Sequence, residues 1–277
     1  MSEASGAIRD ANFLGIPVTT DFMVKADRIL VLIVLFAVWQ ALSQTLGIYW
    51  VGSPVGVIYR IYQGIVGVEL LRHSSYTLSE AISGFILGGI PAVLLPFLLR
   101  RLPIVTAIID PFMVGGYGAP KLALAPLFVL WFGIGIESKI ALVAFTVFFI
   151  VYFSTLSGIR TLDTKLVQMA QVAGAKETDV ARHIVFPGAV PFIFTGFRIA
   201  MPYSIGGAVV AELISANRGL GYLIQLRAMN FDTTGVFVAL VATCCIVFIA
   251  NWCVNAMERR LLRWRPPADA AMQHAAN

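Results

Sequence analysis

Residues 140–159 read IALVAFTVFFIVYFSTLSGI, twenty residues without a charge, bounded by Lys139 and Arg160. As a helix this stretch is about 30 Å long, the thickness of a bilayer's hydrocarbon core. The rest of the chain agrees with lipid as its solvent. Of 277 residues 58% are hydrophobic and 13% charged, with a mean hydropathy of +0.84. A soluble chain carries about 25% charged residues, and half of that cannot cover a globule of this size with a wettable surface. The same composition excludes disordered, collagen-like and disulfide-framework classes.

Working outward, three more charge-free windows are long enough to cross. Ile29–Trp50 follows Arg28, Ala81–Leu99 lies between Glu80 and Arg100-Arg101, and Thr233–Met257 lies between Asp232 and Glu258. Leu122–Ile136 has only 15 uncharged residues, so its span is expected to begin before Lys121. Ile184–Ala211 is apolar apart from Arg198, and its part from about Val190 reads as a span. The expectation is an all-α integral membrane protein of six transmembrane helices, residues 140–159 being the fourth.

Cations decide orientation, because cytoplasmic loops are enriched in Lys and Arg. With the N-terminus inside, only Arg60, Arg72, Lys139, Arg218 and Arg227 fall outside; the other fifteen of 20, Lys121 and Arg198 among them, fall on or near the cytoplasmic side. Five spans would strand the Arg259–Arg265 cluster outside. Both termini are therefore expected in the cytoplasm: residues 1–28 as an N-terminal segment, 29–258 as the transmembrane domain with a cytoplasmic loop at 160–187, and 259–277 as a basic tail. The net charge of +5 is then topological. No basic face interleaved with exposed aromatics suggests nucleic acid. Ile29–Trp50 is too long for a signal-peptide core of about 7–15 residues and is read as a retained span. Cys244, Cys245 and Cys253 share the last span without metal or redox spacing and read as small packing residues. His73 and His183 in loops and His274 in the tail are too scattered for a metal site.

The segment Gly52–Thr77 carries Val55, Ile58, Ile61, Tyr62, Ile65, Val66 and Val68 at roughly helical spacing, an amphipathic helix for the outer face, with Pro54 after Ser53 suited to its first turn. Gly84 and Gly88, four apart, suit close helix packing. Between Pro103 and Pro120, Asp110-Pro111, Gly115-Gly116 and Gly118 are breakers, so an interfacial segment is expected rather than a continuous helix.

The loop after residue 159 is the most informative. Residues 161–191 read TLDTKLVQMAQVAGAKETDVARHIVFPGAVP. Asp163 can cap a short helix Thr164–Val172, Gly174 can supply a left-handed or tight turn, and a second short helix from about Thr178 ends at Val185, before Pro187. Leu166, Val167, Met169, Ala170 and Ala173 have no domain of this chain to bury against, so a partner protein is expected to cover them.

This stretch resembles the membrane subunits of bacterial ATP-binding-cassette importers, whose loop signature is E-A-A, three residues, G, nine residues, I-x-L-P. Gln168-Met169-Ala170, Gly174 and Ile184-Val185-Phe186-Pro187 keep that spacing. Ala170, Gly174, Ile184 and Pro187 match; Gln168, Met169 and Phe186 depart. LFVLWFGIG at Leu127–Gly135, FPGAVPFIFTGFRIA at Phe186–Ala200, VVAE at Val209–Glu212 and RGLGYLI at Arg218–Ile224 are similar to the sulfonate, taurine and nitrate branch. The resemblance covers about residues 25 to 265 and implies the fold of type I importer permeases in the bacterial inner membrane.

It further implies that Gln168, Met169, Ala170, Gly174, Ala175, Ile184 and Pro187 form a coupling surface on an ATPase, where Gln168 keeps a hydrogen-bonding group but loses the glutamate's charge. It implies a complex of two permeases, expected to be a homodimer, two ATPases and an external substrate-binding protein. No G-x-x-x-x-G-K-[ST] loop occurs in the chain, so ATP–Mg is expected on the ATPase and no cofactor here. Candidate pathway residues are Arg198, which could attract an anion or pair with a carboxylate; Glu212, which could line an outer gate or brace the turn at Gly219-Leu220-Gly221; and the two glycines themselves. Glu80, at a span end, reads as solvated.

The expected function is passage of a small anion, an organic sulfonate, taurine or nitrate. The rival within the superfamily is a vitamin precursor such as a thiamine pyrimidine. An ion-coupled secondary transporter would need mid-span carboxylates and often an internal repeat, neither of which is evident. A membrane enzyme would need a convergent catalytic or metal constellation.

Overall fold

The computed structural model describes residues 21–263, and every regular element among them is a helix. They are α1 (Asp21–Leu46), α2 (Ile48–Val51), α3 (Pro54–Val66), α4 (Glu69–Leu99), α5 (Pro103–Gly118), α6 (Ala125–Phe132), α7 (Ile136–Arg160), α8 (Thr164–Val172), α9 (Glu177–Val180), α10 (Phe186–Ser215), α11 (Leu220–Met229) and α12 (Thr233–Leu261). Among the described residues five are long and apolar enough to cross a membrane, or six if α5 and the segment Lys121–Phe132, which meet at a bend of 87°, count together as one broken span.

The core is the bundle of α4, α7 and α10. Val143, Val147 and Val151 repeat every fourth residue of α7 and are fully buried, facing Ala81 and Ala92 of α4 and Ala200, Ile205 and Ala208 of α10. Small residues let the backbones meet. A Cβ added at Gly88 would lie 2.2 Å from the Ala144 carbonyl oxygen, and one at Gly84 2.5 Å from Val143 Cβ. Gly158 and Gly196 play the same part between α7 and α10, against Phe192 and Ser154. In lipid, where no hydrophobic drive joins helices, such van der Waals contact is what holds a bundle. The outward faces are apolar: Ile29–Leu35 of α1 are all half-exposed or more.

The short helices follow local chemistry. Ser53 caps α3 through the Gly56 amide with Pro54 in the first turn, as its sequence suggests. Val55, Ile58, Tyr62 and Val66 of α3 stay exposed, an apolar face with nothing of the described residues over it.

Several expectations are corrected. The segment from Pro103 to Gly118 is a continuous helix despite Asp110-Pro111 and its glycines, because a missing backbone bond is tolerated where neighbouring helices hold the segment. Lys121 is not at the Arg160 end of α7. Its ammonium sits 5.9 Å from the ring of Phe149, eleven residues or about 16 Å before Arg160. The second span begins at Glu69, so Glu80 lies inside α4 and is 5% exposed rather than solvated. His73 is in α4, not in a loop. The second loop helix does not stop before Pro187: α9 runs through a π-turn, Ala181–Val185, into α10. All three cysteines face outward from the bundle rather than into its packing. Arg265 and His274 lie outside the described residues, as do most of the 1–28 segment and of the 259–277 tail.

Charged pairs gather at the two ends of the bundle. Arg100–Glu177 at 2.9 Å, Arg160–Asp110 at 3.7 Å and Arg198–Glu258 lie toward the 160–187 loop. At the opposite end Asp232 accepts from Arg60 at 2.7 Å and caps α12 through the Gly235 amide at 3.1 Å, with Arg227 3.6 Å away and reaching Glu69. Partial burial pushes the Asp232 carboxyl up, but the Arg60 hydrogen bond, the Gly235 amide and the charges of Arg60 and Arg227 outweigh it and leave it below its ordinary value. A carboxyl so held stabilises the fold above its unfolded value, about 3.9. That stabilisation is lost as pH falls through the lower folded value. Melting of the detergent-solubilised protein is therefore expected to fall below about pH 4 more steeply than that of Asp232→Asn. Parallel curves would remove this role.

Candidate functional site

The loop at 160–187 is built by its caps. Asp163 accepts from the Lys165 amide at 2.8 Å and starts α8, while Gly174, at φ +87°, ends it with the Ala175 amide donating to the Ala170 carbonyl at 2.9 Å. No residue of α8 is buried: Leu166 is 53%, Met169 68% and Val172 90% exposed, one apolar stripe at spacing three. Of the proposed coupling residues, Gln168, Met169 and Gly174 are exposed; Ala170, Ala175, Ile184 and Pro187 are half-buried. The loop's own anchors are Val180 and Val185, at 0% and 1% exposure, which the motif spacing does not single out. Arg100 at the end of α4 pairs with Glu177, so the loop is tied to two core helices.

At the opposite end lies a buried polar knot. Glu212 is wholly buried; one carboxylate oxygen accepts from Thr77 Oγ1 at 2.7 Å and the other from the Gly221 amide at 2.6 Å. Thr77 Oγ1 also accepts from the Leu220 amide at 2.8 Å, and His73 Nδ1 from the Gly219 amide at 3.0 Å. Three free amides at the start of α11 are thus satisfied by side chains of α4 and α10. Both glycines are required. Gly219 has φ +102° and a Cβ there would strike the Glu212 carboxylate at 2.0 Å; one at Gly221 would lie 2.2 Å from the Val209 carbonyl. Glu212 braces the turn rather than facing open space. Glu80 and Lys139, both 5% exposed, complete the knot; Lys139 donates to the carbonyls of Ile134 and Gly135. Lys139 and Thr77 belong to this group without any sequence signal, since partners so distant in the chain share no spacing. Arg198 pairs with Glu258 of α12, away from this knot. Among the described residues, no three His, Cys, Asp or Glu side chains meet as a metal site would require.

Residues 82–263 match the model of the binding-protein-dependent transport system inner membrane component family. The chain belongs to this family. The permease is 34% identical to the taurine transport system permease protein TauC of Escherichia coli K12, over 84% of this chain and 87% of that one. It is 32% identical to SsuC of Bacillus subtilis 168, named as an aliphatic sulfonates transport permease, over 84% and 85%. It is also 32% identical to the riboflavin transport system permease protein RibX of Chloroflexus aurantiacus, over 91% and 90%. Its fold is similar to a chain of the inward-facing MetNI methionine ABC transporter, with a TM-score of 0.60 at 16% identity, over 69% of this chain and 95% of that chain. The permease is thus a multi-pass inner-membrane subunit of an ABC importer, a transport component rather than an enzyme, and it works with an ATPase and a substrate-binding protein.

Proposed function

We propose that the permease forms the pathway for a small organic sulfonate of the taurine type, and that α8 with Gly174 is the surface on which the ATPase acts. The sequence shared with TauC and SsuC over more than four-fifths of the chain carries the substrate class. The exposed stripe Leu166, Met169 and Val172 supports the docking assignment, since a helix this apolar needs a cover that the described residues do not supply. On this reading the loop end is cytoplasmic, as are residues 1–28 and 259–277, two copies of the chain face two ATPases, and ATP–Mg binds there. The similarity to RibX favours a second reading, a vitamin-like heterocycle.

The test is ATP-driven uptake in proteoliposomes carrying the permease, its ATPase and its binding protein. Taurine and ethanesulfonate should accumulate, and riboflavin and formylaminopyrimidine should not. Uptake of a heterocycle without a sulfonate would overturn the substrate class, and uptake by the chain alone on an ion gradient would overturn the mechanism. A cysteine replacing Gln168 should cross-link to the ATPase; capture of the ATPase only from the α3 end would move the docking surface.

A further inference from the structure

Lys121 has a position that its place in the sequence does not suggest. The chain bends by 87° between α5 and the turn Lys121–Leu124, at the level of Phe149, halfway along α7. A helix end leaves its last carbonyls unsatisfied, and Lys121 Nζ donates to the carbonyl of Tyr117. The ammonium also rests 4.9 Å from the Tyr117 ring. These contacts take one of its three protons. Among the described residues, no carboxylate comes within ion-pairing distance of it.

An unpaired cation at membrane depth is costly unless it meets water or an anion. Lys121 meets a cleft. A cavity of about 800 Å³ lies between α5, α7 and α10, with Lys121 and Thr146 on its lining away from the loop and Ser157, one turn short of Arg160, toward it. Ser154, Thr195 and Tyr203 add hydroxyls to its walls. Ser154 and Thr195 donate to the carbonyls of Phe192 and Pro191, which leaves the Lys121 ammonium as the cationic donor that an anion would meet in this cleft. The positive head, rather than the hydroxyls, makes the cleft favourable for a compact anion.

We propose that Lys121 is the charged head of a transit site in the pathway, where the sulfonate group of the substrate pauses against the ammonium between α5, α7 and α10. This rests on the sulfonate reading above and adds to it the residue that receives the anion. Each permease copy contributes one such head. The contact is single and partly shared with the Tyr117 carbonyl, which suits a site that must release what it binds.

The alternative is that Lys121 only caps α5. A glutamine side chain in its place would still donate to the Tyr117 carbonyl but has no charge, so Lys121→Gln separates the two roles. The probe is 2-sulfonatoethyl methanethiosulfonate, itself a sulfonate, against its trimethylammonium counterpart. Cysteine is placed in turn at Ser154 and Thr195, with Cys244, Cys245 and Cys253 replaced by serine, in the full complex. With Lys121 present the sulfonate reagent should react about tenfold faster at low salt. The ratio should fall toward one in Lys121→Gln and return in Lys121→Arg. An unchanged ratio in Lys121→Gln, or failure of both cysteines to react, overturns the site. In proteoliposomes, sulfonate uptake by Lys121→Gln should fall by about tenfold or more, and wild-type rates in that variant also overturn it. Should the unaltered permease import no sulfonate while the labelling preference holds, the substrate reading fails and the anion site stands.

Discussion

A valine at Gly88 is expected to remove the assembled permease from the membrane. The atom that a Cβ there would strike is backbone: the Ala144 carbonyl oxygen at 2.2 Å, with Ala144 Cα at 2.9 Å. A flexible side chain could swing aside, but a helix backbone cannot. Relief requires α4 and α7 to separate, and that opens the seam sealed by Val143, Val147 and Val151. Overfilling a packed core costs about 1–3 kcal/mol, and three heavy atoms against backbone lie at or above the top of that range. Gly115 is the control. It is also in a helix, a Cβ there meets nothing within 4 Å, and Gly115→Ala should leave the protein unchanged. Gel filtration of tagged variants in detergent reads the difference, and a wild-type peak and melting temperature for Gly88→Val would refute the contact.

The second large effect is expected at Gly174, and its cause is torsional. Nothing lies within 4 Å of a Cβ built there, yet φ is +87°. An L-residue pays about 1–2 kcal/mol in the left-handed region, more if β-branched. Valine would force the turn after α8 to re-form and move α8 relative to α9. The bundle would still assemble, because the turn touches none of its core. Gly174→Val is therefore expected to reach the membrane normally and to sustain ATP hydrolysis by its complex, while uptake falls by about tenfold or more, equivalent to ~1.4 kcal/mol of lost coupling. Asparagine tolerates the left-handed region better, so Gly174→Asn should recover much of the uptake. Transport at the wild-type rate by Gly174→Val would end the argument.

Much of this architecture is legible in the chain because lipid imposes a simple rule on composition. The long spans, the cap at Asp163, the turn at Gly174 and the close approach at Gly88 each follow from local chemistry. What local chemistry misses is a charge or breaker whose partner is distant. Glu80 looks like a span boundary, yet α4 continues on both sides of it because Glu212, Thr77 and Lys139 build a polar knot inside the bundle. Asp110-Pro111 looks like a break, yet Asp110 pairs with Arg160 and the helix persists. Lys121 looks cytoplasmic because cations usually are, yet the continuous helix α5 leads the chain from the Arg100 end to a bend beside the middle of α7, and Lys121 sits at that bend. Choosing between gate and brace for Glu212 needs the Gly221 amide, nine residues away, and the sequence has no notation for that.

The π-turn between α9 and α10 has a mechanical consequence. There the Phe186 amide reaches back five residues to the Ala181 carbonyl, and Pro187 just beyond has no amide hydrogen to lose. The turn holds one residue more than an α-turn of similar rise. Tightening it would take up that residue and rotate everything on the loop side by about 100°, with little change in length. A pull on α8 would then reach α10 as torque, and the bundle would respond as a screw does, by turning.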